Sequence, residues 1–477
     1  MVFSSVTFLF FFLPAVLIAY HAAPRRIRNG LLVIASLVFY TWGAGALVIP
    51  LVVSITLNYL LGLGIEWAID GEQRRRAQQL LGVAVVLNVG LLAYFKYANF
   101  AVASANGVIG SFGGHGFEWT HVLLPIGISF YTFHSLSYLI DIYRGTARHL
   151  VRPLDFSLYI AFFPQLIAGP IVRFHEIRDQ LVSRRETTDL FAAGAYRFCH
   201  GLGKKVLIAD TVAPLANATF GIDPSHLSST AAAIGLVAYA VQLYFDFSGY
   251  TDMALGMGAM FGIRLPENFD RPYAARSVTE FWRRWHMSLS RWFRDYLYIP
   301  LGGNRGSTLA TYRNLAIVFL LVGLWHGAAW RFVAWGALHG GALIIERAVG
   351  IGRRERAPGQ RDLFGQARTV AFVVLAWIPF RAEGLTAAAG YAGALVRPGI
   401  ALPPGLALAL DPLALIALAI GVLSLFLPAS WVTGVQLQTG RAWGLPAVRA
   451  GMLVIVLPAA IAVMIAVGFS PFLYFQF

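Results

Sequence analysis

The sequence has little charge and almost no cysteine. Only 13% of its 477 residues are charged, 58% are hydrophobic, and Cys199 is the single cysteine. A water-soluble enzyme needs a more polar surface than this composition supplies, so the sequence excludes a soluble globular protein. One cysteine also excludes an internal disulfide and a cysteine-based metal cluster.

Acidic residues are the scarcer charged type, with 23 Asp and Glu against 37 Lys and Arg and a formal net charge of +14. Nucleic-acid binding produces such an excess, but so do basic residues concentrated on one side of a bilayer. The hydrophobic content favours the bilayer, and we expect membrane lipids and no nucleic acid as partners. At roughly 20 apolar residues per span, the chain has room for about 10 to 14 spans in a single membrane domain, residues 1–477.

Arginine clusters predict the orientation of the chain. The first apolar stretch, Phe3 to Tyr20, is followed by arginines and not preceded by them, which predicts a retained helix and not a secretory signal. The positive-inside rule assigns the later clusters, at residues 25–28, 74–76, 144–152 and 353–356, to the cytoplasm. The prediction is an all-α polytopic membrane protein with extracytoplasmic N- and C-termini.

One apolar stretch, residues 155–172, is too broken to cross the bilayer. It contains Pro164 and the pair Gly169-Pro170, and arginines flank it on both sides. Irregular backbone at membrane depth is tolerated only where protein or a watery cavity satisfies its polar groups. We therefore predict a re-entrant or interfacial segment.

Residues 264–305 carry eight arginines interleaved with aromatic residues. On one continuous helix, Trp282, Trp285, Leu289 and Trp292 would share a face, so we predict an amphipathic cytoplasmic helix. This helix is either a simple interfacial anchor or a cytoplasmic mouth whose arginines attract an anionic donor.

Three histidines are candidate functional residues. His326 lies in an apolar span, where ionisable side chains are costly and mark functional sites, and where burial favours a neutral ring able to act as a base. The alternative is a structural histidine bonded between helices. His339 lies among glycines, which favours a role in close helix packing. His286 lies next to Trp285 on the amphipathic segment and supports the functional interpretation of that segment.

Two carboxylates, Asp246 and Asp252, lie near the cytoplasmic end of a span. They are either paired acid/base groups or structural partners of nearby basic residues. The Gly256-Met257-Gly258 and Gly203-Lys204-Lys205 runs lack the further residues that dinucleotide- and phosphate-binding loops require. We expect no metal site, because the sequence has no histidine pair at i,i+4 and no acidic cluster.

The run from Phe281 to Arg305, together with Leu324-Trp325-His326-Gly327-Ala328, resembles the membrane-bound O-acyltransferase family. Residues 1–5 and the run Tyr244 to Asp252 resemble its bacterial alginate O-acetylation branch. The resemblance implies a ring of about 11 to 12 transmembrane helices around a central tunnel in the bacterial inner membrane. The core motifs would lie within residues 244–347.

The same resemblance implies roles for individual residues. His326 matches the catalytic histidine of the Leu-Trp-His-Gly motif, and His286 matches a second polar position. We expect no bound cofactor and an acyl thioester as co-substrate, either acetyl-CoA or an acyl carrier. The resemblance assigns no residues to the donor mouth; the arginine-rich segment itself makes Arg283, Arg284, Trp285 and Arg294 its candidates. A separate periplasmic acetyltransferase would complete delivery of the acyl group to a polysaccharide.

The C-terminal residues Phe472 to Phe477 contain the spacing Phe-x-Tyr-x-x-Phe. It resembles the C-terminal motif of a small protein that acts beside the family member that D-alanylates teichoic acids. That likeness makes Tyr474 a candidate acyl relay. The alternative is an interfacial aromatic belt at the outer mouth.

Two other functions fit parts of the sequence. A transporter or flippase fits the composition, the broken helices and an intramembrane histidine. Transfer of a lipid chain to a secreted protein is compatible with the wider family. The acceptor stays open between alginate, cellulose, another exopolysaccharide and peptidoglycan.

Overall fold

The computed structural model describes residues 2–351, 362–426, 434–436, 441–443, 450–468 and 472–473. The chain forms two compact units. The first comprises Met1–Phe191 and Met257–Leu265, and the second comprises Ala192–Gly256 and Pro266–Phe477.

Almost all regular structure in the described residues is helical. The helices before residue 185 are α1 Leu13–Ala22, α2 Arg28–Ala44, α3 Val48–Asp70, α4 Arg74–Ser111, α5 Ile128–Tyr143, α6 Pro153–Ala161, α7 Phe163–Leu166 and α8 Phe174–Val182. Those that follow are α9 Thr188–Gly203, α10 Thr211–Phe220, α11 Ser229–Met260, α12 Val278–Arg284, α13 Met287–Phe293, α14 Thr308–His326, α15 Trp330–Ala348, α16 Leu363–Arg381, α17 Leu385–Leu395, α18 Pro404–Ala409, α19 Pro412–Phe426 and α20 Leu457–Val467.

Short irregular helices and one hairpin complete the described structure. Wide, π-type turns occur at Phe8–Phe12, Lys204–Asp210, Arg294–Tyr298 and Met452–Val456, and 3-10 turns at Arg25–Ile27, Gly45–Leu47, Pro224–His226 and Pro272–Ala274. Two antiparallel strands, β1 Gly434–Gln436 and β2 Arg441–Trp443, pair Val435 with Ala442. The sequence analysis did not predict this hairpin.

Five helical stretches of the described chain are long and apolar enough to cross a bilayer. They are Arg25–Asp70, Arg74–Ser111, Ser229–Met260, Thr308–His326 and Leu363–Arg381. Uninterrupted apolar sequence of this length favours a helix in lipid. The all-α polytopic class is therefore confirmed, while the total of about 11 to 12 spans stays a prediction.

The broken segment at residues 155–172 lies in the interior of the first unit. Helix α6 ends at Ala161, Phe162 leaves the helical conformation with ψ 109°, and the short helix α7 follows. Residues 158–172 are all buried. The predicted break is present, and surrounding protein covers its backbone, as irregular structure in a membrane protein requires.

The amphipathic segment is not one continuous helix, and that part of the prediction was wrong. Helix α12 ends at Arg284, Trp285 is extended, His286 adopts the left-handed conformation with φ 43°, and α13 begins at Met287. The break is held by Asn268, whose carbonyl oxygen accepts a hydrogen bond from the Met287 N–H at 2.9 Å. The backbone of residues 268–270 thus replaces the helical hydrogen bonds that the break removes.

The tryptophans of this segment face the interior of the second unit. Trp282, Trp285 and Trp292 are all buried, as is Leu289. An interfacial anchor would expose these side chains to headgroups. The structure therefore favours an interior role for the segment over the simple anchor.

Helices α14 and α15 form a closely packed antiparallel pair around His326. Gly323 and Gly336 face each other, and a Cβ on Gly336 would collide with the backbone carbonyl of Phe319. Small residues let helix backbones approach closely in membranes. This contact fixes the end of α14, where His326 lies.

Candidate active site

His326 is the last residue of α14 and is buried among aromatic rings. Its ring centroid lies 4.8 Å from that of Trp325, 5.0 Å from that of Trp335 and 5.1 Å from that of Phe380. Such walls exclude water, which matters for chemistry in which water competes with a hydroxyl acceptor.

His286 is fully buried between α12 and α13, and its hydrogen bond defines its tautomer. Its Nδ1 lies 3.1 Å from Oδ1 of Asn268. The same Oδ1 accepts from the backbone N–H of Ser288 at 3.1 Å, so this atom is an acceptor and Nδ1 of His286 must donate to it. In the neutral ring, Nε2 therefore carries a lone pair.

The lone pair of His286 is available for chemistry. Nε2 is buried and has no hydrogen-bond partner among the described residues. Burial lowers the pKa of His286 to about 3, which keeps the ring neutral at physiological pH. A neutral imidazole with an open nitrogen can accept a proton or a hydrogen bond.

The rings of His286 and His326 both lie close to the indole ring of Trp325. The centroid of Trp325 is 5.9 Å from that of His286 and 4.8 Å from that of His326. We call His286, Trp325 and His326 the histidine cluster. The structure thus brings together two residues that are separated by 40 positions (326 − 286) and that the sequence analysis selected independently.

His339 has a packing role, in line with the sequence analysis. Its Nδ1 accepts a hydrogen bond from Nε1 of Trp282 at 3.2 Å, and its ring lies 4.8 Å from that of Trp335. These contacts tie α15 to α12 within the second unit.

Two of the four donor-mouth candidates border a cavity of about 230 Å³ in the second unit. Arg283 and Arg294 are exposed and line it, together with Trp282 and Ser290. The hydroxyl of Ser290 is buried without a hydrogen-bond partner in the described part of the chain. The remaining walls are largely apolar: Thr279, Leu289, Phe293, Tyr298, Leu315, Val318, Phe319, Val322 and Leu343.

The other two donor-mouth candidates lie elsewhere. Arg284 pairs with Glu280 at 2.9 Å and with Asp270 at 3.5 Å. Trp285 is buried and stacks on Phe281 with ring centroids 5.5 Å apart. Neither side chain lines the cavity.

Asp252 is the centre of a buried group of charges. It pairs with Arg197 at 2.6 Å and with Lys204 at 2.7 Å, and Arg197 also binds Glu267 at 2.8 Å. Burial raises the pKa of Glu267, which lies in the loop after α11. The carboxylate of Asp252 is thus an ion-pair partner, as the structural interpretation of the sequence predicted.

Asp246 has a different set of contacts. Its Oδ1 lies 2.6 Å from Nζ of Lys205, which also contacts Oδ1 of Asp210 at 2.6 Å. Its Oδ2 accepts a hydrogen bond from the backbone N–H of Leu473 at 2.9 Å. We call Arg197, Lys204, Lys205, Asp246 and Asp252 the ion-pair cluster.

Tyr474 itself lies outside the described residues, but the two residues before it lie in the interior of the second unit. Phe472 and Leu473 are buried, and Phe472 stacks on Tyr250 with ring centroids 4.5 Å apart. The ring centroid of Phe247 lies 6.1 Å from that of Phe472 and 4.8 Å from that of His286. The described part of the C-terminal segment is therefore close to the histidine cluster.

Sequence reasoning missed two residues that organise this site. Asn268 orients His286, and Lys205 neutralises Asp246. Neither carried a local signal, because a lone asparagine in a loop and a lysine at the end of a helix are common. Their roles follow from contacts between segments that are distant in the sequence.

Comparisons with known proteins identify the family of the chain. Residues 143–382 match the model of the membrane-bound O-acyltransferase family. The chain is 51% identical to the probable alginate O-acetylase AlgI of Pseudomonas aeruginosa over 81% of this chain and 73% of that one. It is 45% identical to the probable alginate O-acetylase AlgI of Pseudomonas putida over the full length of both, and 40% identical to the peptidoglycan O-acetyltransferase of Helicobacter pylori over 81% of this chain and 78% of that one. With a match to half of its length and relatives this similar, the chain is an O-acyltransferase that belongs to the membrane-bound O-acyltransferase family.

Proposed function

We propose that this protein O-acetylates alginate, taking the acetyl group from a cytoplasmic thioester and passing it across the bacterial inner membrane. The observation that carries the proposal is the histidine cluster, in which His286, a neutral histidine with an open Nε2, and His326 both lie close to the ring of Trp325. The similarity to the Pseudomonas alginate O-acetylases supports alginate as the polymer. Family membership speaks against a transporter or flippase.

The proposed chemistry moves one proton from the attacking hydroxyl to the leaving thiol in two steps. A hydroxyl oxygen attacks the thioester carbonyl carbon, the C–S bond breaks, and the hydroxyl proton ends on the leaving thiol. His326 takes the proton of the attacking hydroxyl and returns it to the sulfur. The aromatic walls around His326 limit hydrolysis of the thioester.

The tautomer of His286 narrows its part in this scheme. A neutral ring that donates from Nδ1 to Asn268 has no N–H on Nε2 for a carbonyl oxygen. His286 therefore holds a group that donates a hydrogen bond, either the attacking hydroxyl or the thiol.

The cavity beside Arg283 and Arg294 is the proposed binding place for the anionic part of the donor. Arg283 forms no ion pair with any described residue, so its guanidinium is available to phosphate oxygens. Both acetyl-CoA and an acyl carrier present phosphate groups next to an uncharged arm that contains amide groups and a hydroxyl group. The apolar walls and the open hydroxyl of Ser290 suit such an arm.

The proposed topology places the arginine-rich residues 264–305 in the cytoplasm and both termini outside. It supplies the donor from the cytoplasm and hands the product to a periplasmic acetyltransferase. In intact cells, the Arg305→Cys variant in a Cys199→Ser background should not react with an impermeant maleimide. Labelling from outside would contradict the topology.

Tyr474 is the proposed acyl relay. Its phenol oxygen would attack the thioester, its proton would pass through His326 to the leaving thiol, and the periplasmic partner would move the acetyl group from the tyrosyl ester to the polymer. The burial of Phe472 and Leu473 beside Phe247 supports this relay, because an interfacial aromatic belt would lie against lipid headgroups.

Tyr474→Phe tests the relay, because it keeps the aromatic ring and removes only the nucleophile. We expect alginate acetylation to be lost at a normal protein level. In cells that lack the periplasmic partner, mass spectrometry of the wild-type protein should find an acetylated C-terminal peptide. An active Tyr474→Phe protein would contradict the relay and leave direct transfer through His326.

A further inference from the structure

The C-terminal segment is attached to the second unit at a buried carboxylate. Leu473 donates its backbone N–H to Oδ2 of Asp246 at 2.9 Å, in an environment where both residues are buried. The ring of Phe472 stacks on Tyr250, one helical turn further along α11. Two successive residues of the segment therefore contact the same helix.

The two oxygens of Asp246 have separate partners. Oδ1 faces the ammonium group of Lys205 at 2.6 Å, and Oδ2 faces the N–H of Leu473. A hydrogen bond to an ionised carboxylate is stronger than one between neutral groups, and a buried carboxylate stays ionised only if a positive charge compensates it. Lys205 thus keeps Asp246 in the form that binds the segment best.

The geometry of Lys205 is set by an irregular turn. Lys205 lies in the wide turn Lys204–Asp210, and its ammonium group bridges Asp246 and Asp210. Wide turns of this kind occur frequently at functional sites, where they redirect a side chain out of the regular helical pattern. A purely structural pair between helices would need Oδ1 alone, whereas Oδ2 is committed to the C-terminal segment.

We propose that Asp246 and Lys205 are positioning residues that anchor the C-terminal segment through Leu473, which directly precedes the proposed acyl relay, Tyr474, in the sequence. The inference rests on the proposed function, because it gives the anchor its purpose. The contact of Phe247 with both Phe472 and His286 connects the anchored segment to the histidine cluster.

A matched pair of double variants isolates the hydrogen bond from the charges. Lys205→Met with Asp246→Asn is neutral and keeps a carbonyl oxygen for the Leu473 N–H. Lys205→Met with Asp246→Leu is also neutral and of similar size but offers no acceptor. Both variants deprive Asp210 of the same partner, so any loss of stability from that source is equal in the two proteins.

The first measurement is the accessibility of the segment. In the full-length chain with Cys199→Ser and Leu473→Cys, the buried thiol at position 473 should react slowly with a maleimide. We expect the Asp246→Leu double variant to react at least about fivefold faster than the Asp246→Asn double variant, as the loss of one buried hydrogen bond predicts. Equal labelling rates would overturn the anchor.

The second measurement is acetyl transfer by the same two proteins without the cysteine changes. We expect the Asp246→Leu double variant to transfer at least about fivefold more slowly than the Asp246→Asn double variant. If labelling rises but transfer is equal while Tyr474→Phe is inactive, the positioning role is overturned and the relay stands. If Tyr474→Phe is active, the relay fails, and the labelling rates still decide whether Asp246 anchors the segment.

Discussion

The second unit buries two kinds of polar group, and it holds them in opposite ways. In the histidine cluster, burial keeps His286 neutral, and aromatic rings such as Trp335 and Phe380 surround His326. The ion-pair cluster is charged, and Asp246 and Asp252 each face a lysine within 2.7 Å. One region keeps a nitrogen lone pair open, while the other compensates its charges.

This difference follows from the cost of burying charge. An ionised side chain in an apolar interior is stable only when an opposite charge and hydrogen bonds compensate it, so its geometry becomes fixed. A neutral histidine can be buried with one nitrogen unused at a much smaller cost, and it keeps the capacity to accept a proton. Fixed charges therefore suit positioning, and neutral histidines suit proton transfer.

The sharpest separation of the two regions is a change within the histidine cluster. Because glutamine cannot act as a base, His326→Gln should lower alginate acetylation by roughly 10²- to 10⁴-fold at an unchanged protein level. The matched control is His339→Gln, which also changes a buried histidine against Trp335 but can still accept the hydrogen bond from Trp282. Near-normal acetylation by His326→Gln, or an equal loss in the control, would contradict the assignment.

The ion-pair cluster should respond in stability. Asp252→Asn removes the carboxylate that Lys204 and Arg197 share, which should lower the free energy of unfolding by about 3–5 kcal/mol. Thermal unfolding in detergent measures this effect. Asp270→Asn is the control, because its pair with Arg284 is partly exposed and contributes at most about 1 kcal/mol. Equal unfolding temperatures would show that burial does not distinguish the two pairs.

Sequence reasoning predicted those features that a local pattern encodes. The high content of apolar sequence predicted a polytopic membrane protein, and an ionisable side chain in an apolar span singled out His326. The neighbouring Trp285 drew attention to His286, and the family motif then matched it. Each signal lies within a few residues of the feature that it predicts.

Features that depend on distant contacts were not predictable in this way. The spacing of Trp282, Trp285 and Leu289 suits a continuous helix, and nothing near them indicates that Asn268 replaces the helical hydrogen bonds at His286. The arginines of the donor mouth look equivalent in the sequence. In the structure, however, Arg284 forms an ion pair with Glu280, whereas Arg283 lines the cavity.

Two changes at Asn268 test the hydrogen bond to His286, and one of them introduces a charge next to the histidine cluster. Asn268→Ala removes the acceptor for Nδ1 of His286 and should reduce acetylation about tenfold, since the tautomer is no longer fixed. Asn268→Asp keeps the acceptor but adds a carboxylate, which raises the pKa of His286. Below that raised pKa, Nε2 becomes a donor, so activity should rise with pH. A purified Asn268→Asp enzyme with the pH profile of the wild type would contradict the proposed acceptor role of Nε2.

The smallest effect concerns acid stability. Burial holds the pKa of His286 at about 3 in the folded protein, against 6.5 for an ordinary histidine. The unfolded chain therefore binds a proton near pH 6 that the folded chain does not, and stability falls as the pH drops below about 6.5. Between pH 7.5 and pH 6 this loss amounts to about 0.8 kcal/mol.

His286→Gln cannot bind that proton, so its unfolding temperature should fall less between these two pH values than that of the wild type. The control His115→Gln removes an exposed histidine and should keep the wild-type difference. If the unfolding temperature of His286→Gln falls as much as that of the wild type, the ring of His286 is not neutral in the folded protein. The histidine cluster would then not differ from the ion-pair cluster in charge at this residue.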